Sequence, residues 1–236
     1  MNQSHYFYLA KVFDFPGPGY ALEVQNLLDL LRDKYAKAAL QVQHFLEGIP
    51  KKTVDLQELY TRSFDVQSIT TLDVGYVLFG DDYKRAELLS NLTREHSQVE
   101  NNCGGELADH LPNLLRLMPK LKDEELLLEL VREILVPALM LMIREFDEER
   151  VEKKKMSYQK HYKALLDPAP GSAPTVYCKA LKATLEVLTQ DFHVADRMAQ
   201  LSEWSLQPQS ADFLGWVEKE MNIEQTANPN NSGCDS

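Results

Sequence analysis

Cysteine is scarce in this chain: Cys103, Cys178 and Cys234 are three among 236 residues, far apart and never in a C-x-x-C pair. Their number and spacing point to neither a disulfide framework nor a zinc site, and predict a reducing compartment. Basic residues are in deficit too, with 25 Lys and Arg against 36 Asp and Glu, a formal charge of -11. Such a surface opposes nucleic-acid phosphates and anionic lipid, which dock on proteins carrying a surplus of Lys and Arg. A cationic partner, such as an Arg-containing peptide, fits better. No apolar run approaches the roughly 20 residues that a membrane span needs. The start, Met1-Asn2-Gln3-Ser4-His5-Tyr6, has no basic region ahead of an apolar core, so the chain reads as cytoplasmic.

Chemical signatures are equally sparse. The sequence has no G-x-S-x-G elbow, no Walker loop and no G-x-G-x-x-G phosphate cradle. A carboxylate-bridged di-metal bundle would require paired Glu-x-x-His motifs, and none is present. His96 and Glu100, at i and i+4, are most simply a solvated surface pair.

What remains is helical periodicity. With 44% hydrophobic and 26% charged residues, the composition is that of an ordinary globular protein, and the apolar residues recur at 3.6-residue spacing with strand alternation nearly absent. The expected fold is all-α, a single-domain helical bundle over residues 1–221. A proline-rich linker, 167–174, precedes the last helices, and 222–236 is a polar, disordered tail. Phe15-Pro16-Gly17-Pro18-Gly19 ends the first segment, and one or two helices run from Tyr20 until Gly48-Ile49-Pro50. Thr53 is the expected N-cap of the next helix. Val74–Phe79 is read as a short helix before one spanning Asp81 to about Ser97, with Asn101–Gly105 as a flexible connection. Asp123, Glu124 and Glu125 favour the positive end of the most apolar helix, Leu126–Phe146, in which Pro137 forces a kink or break. Asp147–Lys155 reads as that helix's solvated end. Helices from Tyr177 to about Leu201 and around Phe213–Val217 follow.

One cluster stands out: Glu106-Leu107-Ala108-Asp109-His110-Leu111-Pro112 places two carboxylates, an imidazole and a proline together. Asp109 serves as an N-cap on one reading, with Pro112 at the third helical position. On another, Glu106 and His110 form an acidic, partly exposed helix entrance. An enzymatic alternative uses Glu106, Asp109 and His110 as acid, base or metal ligands of a helical hydrolase. A third alternative is a helical interaction module with an unrelated client.

These residues resemble the E-L-P-D-H-L-P signature of the NarJ/TorD/DmsD family of redox-enzyme maturation chaperones, in its nitrate-reductase assembly branch. Leu59-Tyr60-Thr61-Arg62-Ser63-Phe64-Asp65 is similar to that branch's Y-x-x-T-F-D segment, and Ile134–Leu139 stands in the place of its proline-bearing apolar helix. The likeness spans about residues 6–146. Ala108 replaces the signature's first proline, and Val66-Gln67-Ser68 lacks the expected Gly and Arg. The resemblance implies a TorD-like bundle without catalysis or cofactor, monomeric or homodimeric. Such a chaperone binds the N-terminal leader or relic leader of a molybdopterin oxidoreductase catalytic subunit while the cofactor is inserted. By that likeness, Glu106 and Asp109 face the peptide's basic residues across an apolar groove between helices. Asp109 and His110 fix its mouth, Tyr60, Phe64, Leu111 and Pro112 shape it, and Asp65 is a further peptide-binding residue.

Overall fold

The computed structural model describes residues 4–161, 174–196 and 198–200. The 167–174 linker up to its last residue, the helix around Phe213–Val217 and the 222–236 tail lie outside the described residues. Among the described residues the fold is all-α with no strand, and no helix is long and apolar enough to cross a membrane.

The Pro-Gly turn sets the first corner. Helix α1 (Ser4–Val12) ends before it, and α2 (Tyr20–Leu31) starts from Gly19 at φ +84°, a left-handed conformation that glycine adopts without a Cβ penalty. The run from Tyr20 divides into two helices, α2 and α3 (Ala36–Gly48). Helix α4 (Thr53–Phe64) follows, with Lys52 rather than Thr53 at its N-cap. Val74–Phe79 forms the short α5, and α6 (Tyr83–Gln98) is capped by Asp82, whose side chain accepts the Lys84 N–H at 2.9 Å.

Helix α7 (Leu111–Leu117) has His110 as its N-cap, without a side-chain bond, and Pro112 in its first turn. A 3-10 turn follows, and α8 (Glu124–Glu129) begins where Asp123 accepts the N–H groups of Glu125 and Leu126, both at 3.0 Å. The chain meets Pro137 by widening into a π turn over Leu130–Leu135, in which the Val136 N–H reaches the Val131 carbonyl, before α9 (Val136–Glu145) resumes. A proline has no N–H and crowds the preceding turn, and the longer π bond accommodates both effects without ending the helix.

The charged run after Phe146 is not the solvated end of α9. It is a separate helix, α10 (Glu148–His161), folded back so that buried Glu145 pairs with Arg150 at 2.7 Å and with buried Lys154 at 2.8 Å. Lys154 also donates to the Ile69 carbonyl, and the Tyr158 hydroxyl donates to the Ser68 carbonyl at 3.0 Å. Helix α11 (Tyr177–Phe192) packs on α3 and α9, while α1 packs on α2 and α7.

The core is continuous across these helices. Leu9, Leu27, Leu31, Leu111, Leu114 and Leu115 are sealed from solvent, each contributing about 1.5–3 kcal/mol of burial. Tyr177 is at its aromatic centre, 4.9 Å from Phe64 and 5.1 Å from Phe45 between ring centroids. Asp191 ties α11 to the opposite side. It accepts from His5 at 3.0 Å, Tyr6 at 2.9 Å, Lys34 at 3.0 Å and Tyr35 at 2.7 Å.

Candidate functional site

Three connections converge beside α4: 13–19 after α1, 65–73 between α4 and α5, and 99–110 between α6 and α7. They enclose a cleft of about 720 Å³. Its aromatic side comprises Phe13, Phe15, Tyr60 and Phe64, and its acidic side comprises Asp14, Asp65, Asp73 and Glu106. The expected groove between helices is therefore a cleft framed largely by loops, with aromatic and acidic surfaces side by side.

Six of the eight residues expected from the sequence line this cleft: Tyr60, Phe64, Asp65, Glu106, His110 and Pro112. Asp109 and Leu111 do not. Both are fully buried, so Asp109 cannot face a bound peptide as the resemblance implies. It does not cap α7 either.

Asp109 instead caps α5 from a distance. Its Oδ2 accepts the Gly75 N–H at 3.0 Å and the Arg85 Nε–H at 3.4 Å. The loops carrying the two partners are laced by backbone bonds, Val74 N–H to the Asp109 carbonyl at 3.0 Å and Leu111 N–H to the Leu72 carbonyl at 2.9 Å. They form an isolated antiparallel bridge between Asp73 and His110. Arg85 reaches on to Asp73 Oδ2 at 3.1 Å, and His110 Nδ1 donates to Asp73 Oδ1 at 3.0 Å. The Arg85 guanidinium also lies 5.1 Å from the Tyr76 ring centroid.

Electrostatics separate the two aspartates. Burial disfavours the charge on Asp73, yet the His110 hydrogen bond and the charges of His110 and Arg85 outweigh it and hold its carboxyl below the ordinary value. For Asp109, burial followed by the neighbouring Asp73 charge raises the carboxyl, with Arg85 and the Gly75 N–H offsetting only part. Its Oδ1 is buried without a hydrogen-bond partner among the described residues.

The cleft's remaining charges divide into paired and unpaired. Asp14 is paired with Arg116, and Asp73 with Arg85 and His110. Asp65 and Glu106 have no ionic partner among the described residues. Burial, then Tyr177 and the carboxylates of Asp14, Glu106 and Asp65, push the Tyr60 hydroxyl well above the ordinary phenol value. Its O–H donates to the Phe13 carbonyl at 3.0 Å, and the half-exposed Phe15 ring meets the Tyr60 ring edge-on at 5.4 Å.

The chain matches no protein-family model, no curated protein and no solved structure.

The wall carrying Glu106 is more ordered than its glycines and asparagines suggest. His96, expected as a surface partner of Glu100, is buried and bonds to the Ala108 carbonyl at 2.9 Å. Asn113 Nδ2 donates to the carbonyls of Cys103 and Leu107 at 3.2 and 3.0 Å, and Asn102 Oδ1 accepts the Gly104 N–H at 2.8 Å. Sequence reasoning missed Asp14, Asp73, Arg85 and Arg116 as parts of the site. Their signal was weak, since Asp14, Asp73 and Arg116 are each a charge among apolar neighbours and Arg85 sits in the charged start of α6, although Asp14 adjoins the Phe15-Pro16 turn. No three of His, Cys, Asp and Glu converge as a metal would require among the described residues.

Proposed function

We propose that this chain is a non-catalytic, cytoplasmic chaperone. In this reading it binds the N-terminal leader, or relic leader, of a molybdopterin oxidoreductase catalytic subunit and assists its assembly, as the resemblance to the NarJ/TorD/DmsD family implies. One observation supports the reading most: Asp65 and Glu106 lack counter-ions among the described residues, in a cleft that also offers the Phe15 and Tyr60 rings. Carboxylates hold a guanidinium through paired hydrogen bonds, and aromatic faces add cation–π attraction of about 0.5–2 kcal/mol. The same rings accept apolar side chains, so a segment with basic residues beside hydrophobic ones satisfies both surfaces. The overall charge of -11 speeds encounter with such a segment.

Photo-crosslinking tests this directly. A leader peptide with a crosslinker beside its arginines is expected to label residues of the 13–19 and 99–110 connections, and the Asp65→Asn/Glu106→Gln double variant to lose the label. Labelling confined to other surfaces, or unchanged in the double variant, contradicts the proposal.

A further inference from the structure

The wall that brings Glu106 to the cleft is bonded to one imidazole, that of His96. The Ala108 carbonyl can only accept, so His96 Nε2, 2.9 Å away, carries the hydrogen. Asn101 Nδ2 donates to the Asn113 carbonyl at 3.2 Å, which fixes the amide orientation because that carbonyl also can only accept. The same Nδ2 is 2.9 Å from His96 Nδ1. Two donors cannot face each other, so Nδ1 must be unprotonated and His96 neutral.

We propose that His96 is a proton-sensitive latch on the 99–110 connection, so that acidification opens the wall holding Glu106 and weakens the cleft's grip on its cationic partner. Protonating Nδ1 sets two donors against each other in a site only 3% exposed. The bond from Asn101 is lost, which breaks the side-chain link running from His96 of α6 through Asn101 to Asn113 of α7. This connection separates the main cleft from a second hollow of about 500 Å³, and Asn102, Cys103 and Glu106 line both. A shift of the wall therefore reshapes the cleft.

The charged and titratable groups around His96 allow this. Lys120, from the 3-10 turn after α7, adds unfavourable positive charge and places its ammonium 3.4 Å from the Glu100 carbonyl. Glu100 and Glu106 face the shared hollow, as does the Cys103 thiol, which burial raises above its ordinary value. Burial, the largest influence, and Lys120 hold His96 below 6.5, the Ala108 bond opposing them. The sign follows. With the latched value depressed, only the open form takes a proton as pH drops below 6.5, and closure weakens by up to about tenfold per pH unit until the latched value is reached.

The effect on a partner rests on the binding reading above, whereas the opening of the wall does not. With the full chain, ¹⁵N shifts of His96 should show a bare Nδ1 at pH 7.5. Amide exchange across 101–108, corrected for intrinsic rates, should accelerate by up to about tenfold between pH 7.5 and 5.5. His96→Gln, whose amide can still donate to Ala108, should remove that acceleration. A synthetic peptide with two consecutive arginines and an apolar flank should show a larger pH 7.5-to-5.5 affinity ratio with the wild-type chain than with His96→Gln. A protonated Nδ1 at pH 7.5, or unchanged exchange in the wild-type chain, overturns the latch, and neither readout needs the variant to fold. Opening without peptide binding at either pH upholds the latch and removes the binding reading. Binding with equal pH ratios in both proteins overturns the coupling of latch to partner.

Discussion

The Asp109 carboxylate caps a helix that precedes it in the chain, through a 3.0 Å bond from the N–H of Gly75, 34 residues earlier. A Cβ on Gly75 would lie 2.6 Å from Asp109 Oδ2 and 3.2 Å from side-chain atoms of Arg85 and Leu88. Glycine at this position is thus a condition of the contact that holds the 65–73 and 99–110 connections together beneath the cleft.

Gly75→Ala accordingly reverses the usual helical preference. Alanine in a helix ordinarily gains about 0.5–1 kcal/mol over glycine, but here the methyl meets a carboxylate fixed by two donors. A net loss of about 1–3 kcal/mol is expected from overpacking, read as a lower urea midpoint at unchanged slope. A gain in stability would show that Asp109 yields easily.

Asp109→Ala should destabilise the chain by about 1–3 kcal/mol, because it leaves the buried Gly75 N–H without its acceptor and Arg85 with Asp73 as its remaining carboxylate. Asp109→Asn should cost less, since an amide oxygen still accepts from Gly75. Chemical denaturation of the two variants orders them.

Asp191 predicts a pH dependence. Burial opposes its charge, but hydrogen bonds from His5, Tyr35, Lys34 and Tyr6 hold the carboxyl far below the ordinary value of 3.8. A depressed carboxyl contributes stability above 3.8 and loses it as pH falls toward the native value. Asp191→Asn should therefore be less stable than the wild type by about 2–3 kcal/mol near neutrality, with the gap narrowing below pH 3.8. Urea titrations across pH 2.5–7 measure the gap, and a constant gap would remove the ionic part of this tie.

Lys154→Ala leaves the buried Glu145 carboxylate with Arg150 alone and should cost about 3 kcal/mol or more. Replacing Glu145 and Lys154 together with leucine should cost less than the sum of the single changes, as a double-mutant cycle would record.

Much of the helix pattern was legible in the sequence because its signals are local. Phe15–Gly19 cannot continue a helix, Val74–Phe79 reads as a short one, and Pro137 demands an interruption that the chain meets with a π turn. Contacts between distant segments were not legible. Asp109 before a proline-bearing helix reads as that helix's cap, and nothing local reveals Gly75 as its partner. His96 and Glu100 look like a surface pair because i and i+4 residues usually share an exposed face, yet the chain turns after Gln98 and encloses the imidazole. The mixed charges of Glu148–Lys155 suggest a solvated face, and only the reversal at Phe146-Asp147 brings Lys154 onto Glu145. Tyr60, Phe64, Asp65, Glu106, His110 and Pro112 were found through family likeness, and the cleft that unites them rests on the Asp73–His110 bridge.

The central claim is that Asp65 and Glu106 hold a cationic segment. Calorimetric titration of the full chain with a leader peptide bearing two arginines, and with the same peptide carrying glutamines there, tests it most directly. The account predicts saturable binding that weakens at least tenfold with the glutamine peptide, weakens as salt rises, and weakens about five- to tenfold with Glu106→Gln or Asp65→Asn, with each variant's stability kept within about 0.5 kcal/mol. Equal affinity for both peptides, or affinity unchanged in both variants, would contradict it.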